Sequence, residues 1–468
     1  MLQIKDLTGI SPVDQKLVKT DPIKNKSIPI DVRDVRMPIH KISLNKGDLI
    51  HLKESQNVRA KTNHKPKKKP ESKVEQPVKK GPHMTFKAFV KISGKPTIPN
   101  YEDFLFQPNR QRSVSSYAPN VHWKLQRYRH TDIISFPDPM VLQKFYRNSL
   151  PELKQGMSRI GIMFGRYVED VNPLVKQNVT DDLKRQKKWD FDANGVRGDV
   201  YAIYEPPQEA QKNGARFLTD PRQEVVQILA EEMGLEAIGL AICKVKAKED
   251  PKGFQTFLTG AELLQLARLQ SVFRDQDGFS RFGCVLIEQA ELIEPRAFAA
   301  SDICVALEGS NLLDTVEGHP FKLRCKIPEG VRASDMPQFY IPKDNDMSGG
   351  THQAKEKIKT GDPFPIDFLT VKIIVGQGRG LHGLMKHIEF PLNGTLKDLK
   401  GYMERHSGET FHQKFSDFNL ILNLPDFFED EKDKECAVEI AACIGKRLEF
   451  PPELCEKLDI WFVKKSLF

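Results

Sequence analysis

Cysteine and histidine are missing from long stretches of this sequence, and both absences limit its chemistry. The seven cysteines begin at Cys243, and none forms a C-x-x-C pair. No histidine lies between His130 and His319. A structural zinc ion needs four cysteine or histidine ligands, so residues 58–242 are not expected to hold a zinc finger. An odd number of widely spaced cysteines is typical of reduced thiols in a cytosolic or nuclear protein.

The sequence also lacks long hydrophobic runs and a strong excess of one charge. No apolar run approaches the roughly 20 residues that a membrane-spanning helix needs, and MLQIKDLTGI has no hydrophobic signal-peptide core. The net charge is +8 over 468 residues. Nucleic-acid-binding proteins gather basic residues on one face with aromatic residues between them, whereas the main basic cluster here is a low-complexity stretch, residues 58–82. We therefore predict a soluble intracellular protein of two or three domains, with neither a membrane span nor a nucleic-acid partner.

Residues 195–245 carry the clearest secondary-structure pattern. Aromatic and β-branched side chains at residues 199–204 predict a buried strand, which prolines 206–207 end because proline cannot donate to a sheet. Asp220 opens the pattern DPRQ, which predicts a helix N-cap. The apolar run at residues 237–245 predicts a second strand. A strand, helix and strand in this order are typical of packed layers of sheet and helix.

The segments on either side predict further elements of the same kind. RIGIMFGRYVED, from Arg159 onward, predicts a strand whose glycines let a neighbouring backbone approach closely. Thr259 and Glu262 form a capping-box pattern at the start of a helix. Residues 282–288 and 301–307 are apolar, and we predict that both are strands.

The last third of the chain predicts a small α/β domain from Ile366 onward, with a helix capped by Thr395 and closing helices at residues 437–448 and 452–462. GQGRGLHG, at residues 376–383, satisfies the pattern G-x-G-x-x-G. A dinucleotide site needs a helix next, but the following MKHIEFPLNG has the pattern of a strand. A strand–loop–strand hairpin is therefore favoured over a cofactor site.

Several short sequence motifs resemble, in their order and spacing, motifs of one known family. They are HMTF (83–86), RYRH (127–130), FGRY (164–167), AIYEPPQ (202–208) and DPRQEVV (220–226). All resemble the nuclear protein localization protein 4 family, and DFNLILNLPDFF (417–428) is similar to part of its C-terminal domain. Within RYRH, His130 is open to two interpretations, a functional group or a structural hydrogen-bonding residue; the second is the commoner role of a histidine beside an arginine and an aspartate.

The resemblance implies a mixed α+β or α/β fold in five parts. Residues 1–57, with NKGDLIHL near their end, resemble a partial ubiquitin-like (β-grasp) remnant or the product of a truncated gene model. Residues 58–82 form a basic linker rich in proline and lysine, in which PKKKP also resembles a nuclear import signal. Residues 83–122 are similar to the family's leading segment without its zinc fingers. An inactive MPN-type (JAB1/MPN-like) domain of three layers is expected at residues 123–309, and a small α/β C-terminal domain at residues 310–468.

Catalytic MPN domains are zinc proteases, so the resemblance raises the question of activity. Such a domain binds zinc through two histidines and an aspartate, and a glutamate takes a proton from the zinc-bound water. The histidines should follow the strand after the central helix, where this chain has GLAICKV at residues 239–245. Thr259 and Glu262 fall near the serine and aspartate of that motif, but helix capping explains both. We therefore expect no enzyme activity, no catalytic residue, and no metal or cofactor.

The family resemblance implies a non-catalytic cofactor of the AAA ATPase valosin-containing protein that acts with ubiquitin fusion degradation protein 1. It would bind polyubiquitin and present unfolded ubiquitin for ubiquitin-dependent protein degradation, including ER-associated degradation, in the cytoplasm and nucleus and at the surface of the ER or nuclear envelope. An extended segment would bind by backbone pairing and apolar pockets. The expected contact residues follow a strand end: Tyr204, Glu205, Pro206, Pro207 and Gln208.

An alternative remains beside this expectation. The ubiquitin-like part is short and the zinc fingers are absent, so both elements by which the family docks on the ATPase are expected to be reduced. The chain would then be a repurposed interaction scaffold that has lost ATPase docking. A metalloprotease or a dehydrogenase is the least favoured interpretation.

Overall fold

Three short strands are described in the first of two compact units, Met1–Gln76 and Pro77–Phe468. The computed structural model describes residues 15–20, 27–29, 50–54, 83–98, 120–170, 195–212, 214–245, 258–289, 294–327, 329, 338–342, 355–358, 361–377, 384–428 and 430–465. In the first unit, β1 (Gln15–Thr20) lies between β2 (Ser27–Pro29) and β3 (Ile50–Glu54), and both pairs are antiparallel. The predicted linker at residues 58–82 lies outside the described residues.

The second unit holds the remaining elements. Its strands are β4 (Met84–Thr85), β5 (Asn120–His122), β6 (Tyr128–Arg129), β7 (Ile133–Phe136), β8 (Arg159–Asp170), β9 (Gly195–Tyr204), β10 (Gln208–Gln211), β11 (Gly214–Phe217), β12 (Glu236–Val245), β13 (Gly283–Gln289), β14 (Arg296–Ala300), β15 (Leu313–Thr315), β16 (Lys322–Cys325), β17 (Gln338–Pro342), β18 (Lys355–Ile358), β19 (Pro363–Pro365) and β20 (Thr370–Gln377). Its helices are α1 (Phe86–Ser93), α2 (Met140–Lys154), α3 (Gln223–Glu232), α4 (Gly260–Val272), α5 (Asp302–Gly309), α6 (Leu396–Arg405), α7 (Phe411–Lys414), α8 (Phe418–Phe427), α9 (Glu431–Lys446) and α10 (Pro452–Lys464).

Seven strands close into a barrel in the order β12-β13-β14-β20-β7-β9-β8. The two strands predicted in the central unit, β9 and β12, both pair antiparallel with β8, which lies between them. Bulges between Phe164 and Gly165 and between Ala237 and Gly239 interrupt these ladders, and such bulges increase local twist and bend a strand. The expected layers of sheet and helix therefore take the form of a closed barrel with helices packed against it, rather than an open sheet.

Glycines permit the close packing of β8, as its sequence predicts. A Cβ atom added to Gly165 would lie 2.1 Å from the carbonyl oxygen of Asp199 on β9. One added to Gly161 would lie 2.6 Å from Ile203 Cγ2. No side chain larger than hydrogen fits at such distances, so these glycines fix how closely β8 and β9 approach.

The barrel interior is one hydrophobic core to which all seven strands contribute. It includes Met163 of β8, Val200 of β9 and Val285 of β13, and Phe145 of α2 joins it. Alternate residues of the strands face outward into two further cores. All seven cysteines are free thiols, and all but Cys455 are buried, as expected of reduced cysteines that pack as small apolar side chains.

Helices α4 and α5 cover one outer side of the barrel and correct one prediction. Residues 301–307 were expected to form a strand, but the structure forms α5 there, and Ser301 caps it by accepting from the backbone N–H of Cys304. Periodicity does not separate a short buried helix from a buried strand, and the Ser-Asp start was the signal for a helix. The capping box of Thr259 and Glu262 at α4 is confirmed.

The C-terminal third also differs from the predicted small α/β domain. The strand near Ile366, β20, belongs to the barrel, where it pairs with β7 and β14. The described residues after it, 384–428 and 430–465, form helices α6 to α10. In place of the predicted strand at 385–394, only a single β-bridge joins His387 to Asp417. The cap at Thr395 and both closing helices are confirmed.

These C-terminal helices share one core with the outside of the barrel. Phe164 of β8 and Leu229 of α3 belong to the same cluster as Leu420 of α8, Ile440 of α9 and Phe462 of α10. None of the helices in the described ranges is both long and apolar enough to cross a membrane. The predicted hairpin loop at residues 378–383 lies outside the described residues.

Candidate functional site

A groove of about 910 Å³ opens on the outside of the barrel, between α3 and the end of α4. Its floor comes from the outer faces of β8, β9 and β12. A cavity of this size lies at the upper end of the range that ligand sites usually occupy. Its lining is largely apolar: Ile162, Phe164, Tyr167, Tyr204, Pro206, Phe217, Leu218, Asp220, Gln223, Val226, Gln227, Ala230, Glu231, Leu235, Glu236, Ala237, Leu269, Val272, Phe273, Arg274, Asp275 and Arg281.

The rim of the groove leaves large apolar side chains in water. Val272 is 73% exposed, Leu218 is 49% exposed and Phe273 is 38% exposed. The ring of Phe273 stacks on Phe282 with centroids 4.9 Å apart, which holds it in place without covering it. Contiguous exposed apolar surface is uncommon on a monomeric protein and marks sites that bind other molecules.

A short strand edge stands beside this apolar surface. The barrel is closed, so its strands offer no free edge on which an extended segment might pair. The ribbon β10–β11 lies outside the barrel, and among the described strands β11 pairs with β10 alone. Phe217 at the end of β11 and the adjoining Leu218 both line the groove. The groove therefore combines apolar pockets with a nearby backbone edge.

Two of the five predicted contact residues line the groove, Tyr204 and Pro206. The Tyr204 hydroxyl donates to Asp220 Oδ2 at 2.8 Å, and only 5% of the residue is exposed. Burial and the hydrogen bond to Asp220 raise the pKa of Tyr204 well above its ordinary value. Asp220 also accepts from the backbone N–H of Arg222 at 2.9 Å. It was predicted as the helix N-cap, but α3 begins three residues later and is capped by Arg222.

The other three predicted residues do not line the groove. Glu205 is buried, and it accepts hydrogen bonds from Arg159 Nε at 2.6 Å and from Asn148 Nδ2 at 2.7 Å. The side-chain amide of Gln208 bonds both backbone groups of Ile160, N–H at 2.8 Å and C=O at 2.7 Å. Pro207 is exposed, and its carbonyl accepts from Leu218 N at 2.9 Å. These contacts join the end of β9 to β8 and to the ribbon.

An ion pair lies where the zinc-binding motif of a catalytic MPN domain was looked for in the sequence. Lys244 Nζ lies 2.7 Å from Glu262 Oε2, and Glu262 is fully buried while the Lys244 side chain is 6% exposed. The same carboxylate oxygen accepts from the backbone N–H of Thr259 at 2.7 Å. Glu262 therefore links α4 to β12 as well as capping α4. The positive charge beside this carboxylate is the lysine ammonium.

The segments HMTF and RYRH lie side by side in the structure. Strand β4 pairs in parallel with β6, with Met84 opposite Tyr128. His130 Nε2 lies 2.9 Å from Asp302 Oδ1, and its ring packs against Phe86 and Phe279 at centroid distances of 4.5 and 5.0 Å. These contacts favour the structural interpretation of His130, which ties the leading segment to α5.

Comparison with known proteins gives one consistent result. The model of the NPL4 family matches residues 184–427, just over half of the chain. The human protein named Nuclear protein localization protein 4 homolog is 25% identical over 336 residues, which cover 64% of this chain and 49% of the human protein. Nuclear protein localization protein 4 of Meyerozyma guilliermondii is 27% identical over 305 residues, covering 61% and 46%. The Saccharomyces cerevisiae protein of that name is 25% identical over 332 residues, covering 64% and 52%. The chain thus spans about half the length of the curated relatives it matches.

Proposed function

Because this chain belongs to the NPL4 family, we propose that it is a non-catalytic, substrate-recruiting cofactor of the AAA ATPase valosin-containing protein. In this role it binds polyubiquitin and presents unfolded ubiquitin to the ATPase, together with ubiquitin fusion degradation protein 1. The proposal places it in ubiquitin-dependent degradation, including ER-associated degradation, in the cytoplasm and nucleus.

The observation that carries this proposal is the open apolar groove. An unfolded polypeptide displays apolar side chains and unpaired backbone groups, and the groove offers a match for both. Leu218, Val272 and Phe273 supply exposed apolar surface, and the ribbon β10–β11 supplies a strand edge beside it. Recognition by strand addition draws affinity from main-chain hydrogen bonds and selectivity from side-chain pockets.

The buried pair of Lys244 and Glu262 supports a non-catalytic role. A zinc-dependent protease needs a carboxylate free to bind the metal and histidines beside it. Here Glu262 is engaged by an ammonium group and by a helix cap, and no histidine occurs between residues 130 and 319 of the sequence. The groove would then bind a polypeptide without cleaving it.

Substitution of Val272 tests the groove directly. Because Val272 is 73% exposed, Val272→Asp should leave the fold intact. Burial of a valine side chain on binding is worth about 1.5–3 kcal/mol, so affinity for a labelled, unfolded ubiquitin fragment should fall roughly 10- to 100-fold. Val463→Asp is the matched control, since Val463 is 69% exposed on α10 and does not line the groove. Equal binding by both variants, measured by fluorescence anisotropy, would rule out the groove as the binding site.

Gel filtration of the chain with the ATPase hexamer, with and without polyubiquitin, tests the rest of the role. Co-elution that increases with polyubiquitin is the expected result. If the chain binds polyubiquitin but never co-elutes with the hexamer, the groove function stands and the ATPase role fails. If it binds neither, the alternative role of a repurposed interaction scaffold is favoured.

A further inference from the structure

Two histidines and a glutamate converge beside the C-terminal helices. Within the parts of the chain that the structure describes, His387, His406 and Glu409 are the one group whose ligand atoms lie close enough to share a metal ion, all within 4.8 Å of one another. None of the three lines the groove. An inference about them is therefore independent of the proposed function.

Glu409 presents one oxygen atom to both imidazole rings. Its Oε2 lies 2.7 Å from His387 Nε2 and 3.7 Å from His406 Nδ1, and the two ring centroids are 4.1 Å apart. Tetrahedral ligands with bonds of about 2.0–2.1 Å to zinc lie about 3.3 Å from one another. That spacing falls between these two distances, and the two histidine nitrogens lie within 4.8 Å of each other, so rotations of the side chains would bring all three ligands around one ion.

His406 already makes the second hydrogen bond that metal-binding histidines use. Its Nε2 is hydrogen-bonded to Glu389 Oε1, so the nitrogen that faces Glu409 is Nδ1. A carboxylate on the far side of an imidazole fixes the ring orientation and keeps the proton on the nitrogen away from the metal. In the tautomer that donates from Nε2, the nitrogen free to bind a metal is Nδ1, which lies 3.7 Å from Glu409 Oε2.

The backbone holds the three residues in place. His387 N donates to Ser416 O at 2.9 Å, and Glu409 N donates to His406 O at 3.0 Å. His406 is the C-cap of α6, where its N–H donates to Tyr402 O at 3.2 Å. The side chains of His387, His406 and Glu409 are 13%, 15% and 23% exposed. They are thus reachable from solvent yet restricted, and binding an ion needs little further ordering.

Neighbouring positive charges oppose a cation, among them Arg405, whose Nε lies 3.8 Å from Glu389 Oε1. Lys386 Nζ donates to Glu409 Oε1 at 2.9 Å, and its ammonium repels a divalent ion. The site also offers three protein ligands rather than the four of a structural zinc site. Its affinity should therefore be lower than that of a zinc finger, and removal of the lysine charge should raise it.

We propose that His387 Nε2, His406 Nδ1 and Glu409 Oε2 bind one divalent transition-metal ion, with Zn²⁺ as the best match to two imidazoles and one carboxylate. Solvent completes the coordination. Zinc takes the place of the hydrogen bond between His387 and Glu409, and in the bound form the neutral imidazole of His387 carries its proton on Nδ1. The ion joins the segment before α6 to the turn after it, and so stabilises the C-terminal helices.

The test uses the full chain, stripped of metal by a chelator and titrated with zinc chloride against a chromogenic zinc indicator. The expected result is one zinc ion per chain above the weak background. His406→Ala should lower the affinity about 10- to 100-fold, as loss of a ligand or its hydrogen-bond partner does. His319→Ala is the control, because His319 is exposed and lies outside the cluster.

Two milder variants keep the test decisive if His406→Ala fails to fold. Glu389→Gln should weaken zinc binding about tenfold, and Lys386→Met should strengthen it, which a merely structural ion-pair cluster would not do. Cobalt in place of zinc should give a spectrum without thiolate charge transfer, which excludes the cysteines as ligands. The proposal is overturned if the chain binds no zinc in large molar excess, if His319→Ala loses as much affinity as His406→Ala, or if cobalt reports thiolate ligands.

Discussion

The substitution Glu262→Gln should weaken the contact between α4 and the barrel more than any surface substitution would. Glutamine keeps the size of the side chain and an oxygen that still accepts from Thr259 N. It removes the negative charge 2.7 Å from Lys244 Nζ. Glu262 is fully buried and the Lys244 side chain is 6% exposed, so the ammonium group loses the negative charge of Glu262 and has little access to water.

The expected loss is large because the pair is buried. Removing one partner of a buried ion pair typically costs about 3–5 kcal/mol. Replacing both partners by apolar residues of similar size is often close to neutral. The double variant Lys244→Met/Glu262→Leu should therefore lose only the capping contribution of Glu262, about 1 kcal/mol. It should be more stable than either single variant.

Hydrogen exchange of the α4 amides measures this locally. A loss of 3–5 kcal/mol accelerates exchange by opening roughly 10²- to 10³-fold or more. Exchange in α9, which belongs to a different core from α4, provides an internal reference. The reasoning is refuted if Glu262→Gln exchanges less than about fivefold faster than the parent, a difference near 1 kcal/mol. It is also refuted if the double variant is the least stable of the series.

Two further predictions concern the barrel. Gly165→Ala should lower the free energy of unfolding by at least about 1–3 kcal/mol in thermal unfolding, because its Cβ would lie 2.1 Å from Asp199 O. Gly408→Ala is the control and should match the parent, because a Cβ there would have no atom within 4 Å. Equal losses in the two variants would contradict the packing argument. Burial raises the pKa of Asp132 from 3.8 to about 6 despite the neighbouring Arg129, so the fold favours the protonated acid. The contribution of Asp132 to stability therefore falls as pH rises from about 4 to 6 and is constant at higher pH. Between pH 4.5 and 6.5, Asp132→Asn should lose less stability than the parent does. If the melting temperatures of the two proteins change in parallel with pH, this prediction is contradicted.

Local signals in the sequence predicted the elements that local chemistry determines. The caps at Thr259 and Thr395 are set by side-chain hydrogen bonds within four residues, and both are confirmed. The strand of residues 199–204 and the close packing at Gly165 also follow from their own residue types. Ser301 is the contrasting case, where an apolar run outweighed an N-cap signal that determines the structure.

Long-range pairing was not predictable in the same way. Nothing near β20 indicates that it lies between β7 and β14, since those partners are contributed by segments more than sixty residues away. The prediction of a strand at residues 385–394 was wrong because its pattern reflects burial of Met385 and Phe390 against helices rather than in a sheet. Periodicity reports which side chains are buried but not what covers them.

The predicted contact residues were chosen because they follow the end of β9, and only some of them line the groove. Tyr204 and Pro206 line the groove, while Arg159 engages Glu205. The exposed rim residues Val272 and Phe273 were not predicted. The one indication of their exposure in the sequence is the segment SVFRDQDG, in which two apolar residues directly precede a charged turn.

The core shared by β8, α3 and α8 to α10 has a consequence for the synthesis of this chain. The family match ends at residue 427, yet Ile440, Trp461 and Phe462 complete the same core. The ribosome adds roughly 5–20 residues per second. The helices that cover the outer surface of β8 are therefore completed roughly ten seconds or longer after β12 has been synthesised. The nascent chain therefore exposes this apolar face of β8 until the last helix has been made. Chaperone dependence during translation should be set by this final helix, and an early stop codon after α8 should yield aggregated protein rather than a smaller folded one.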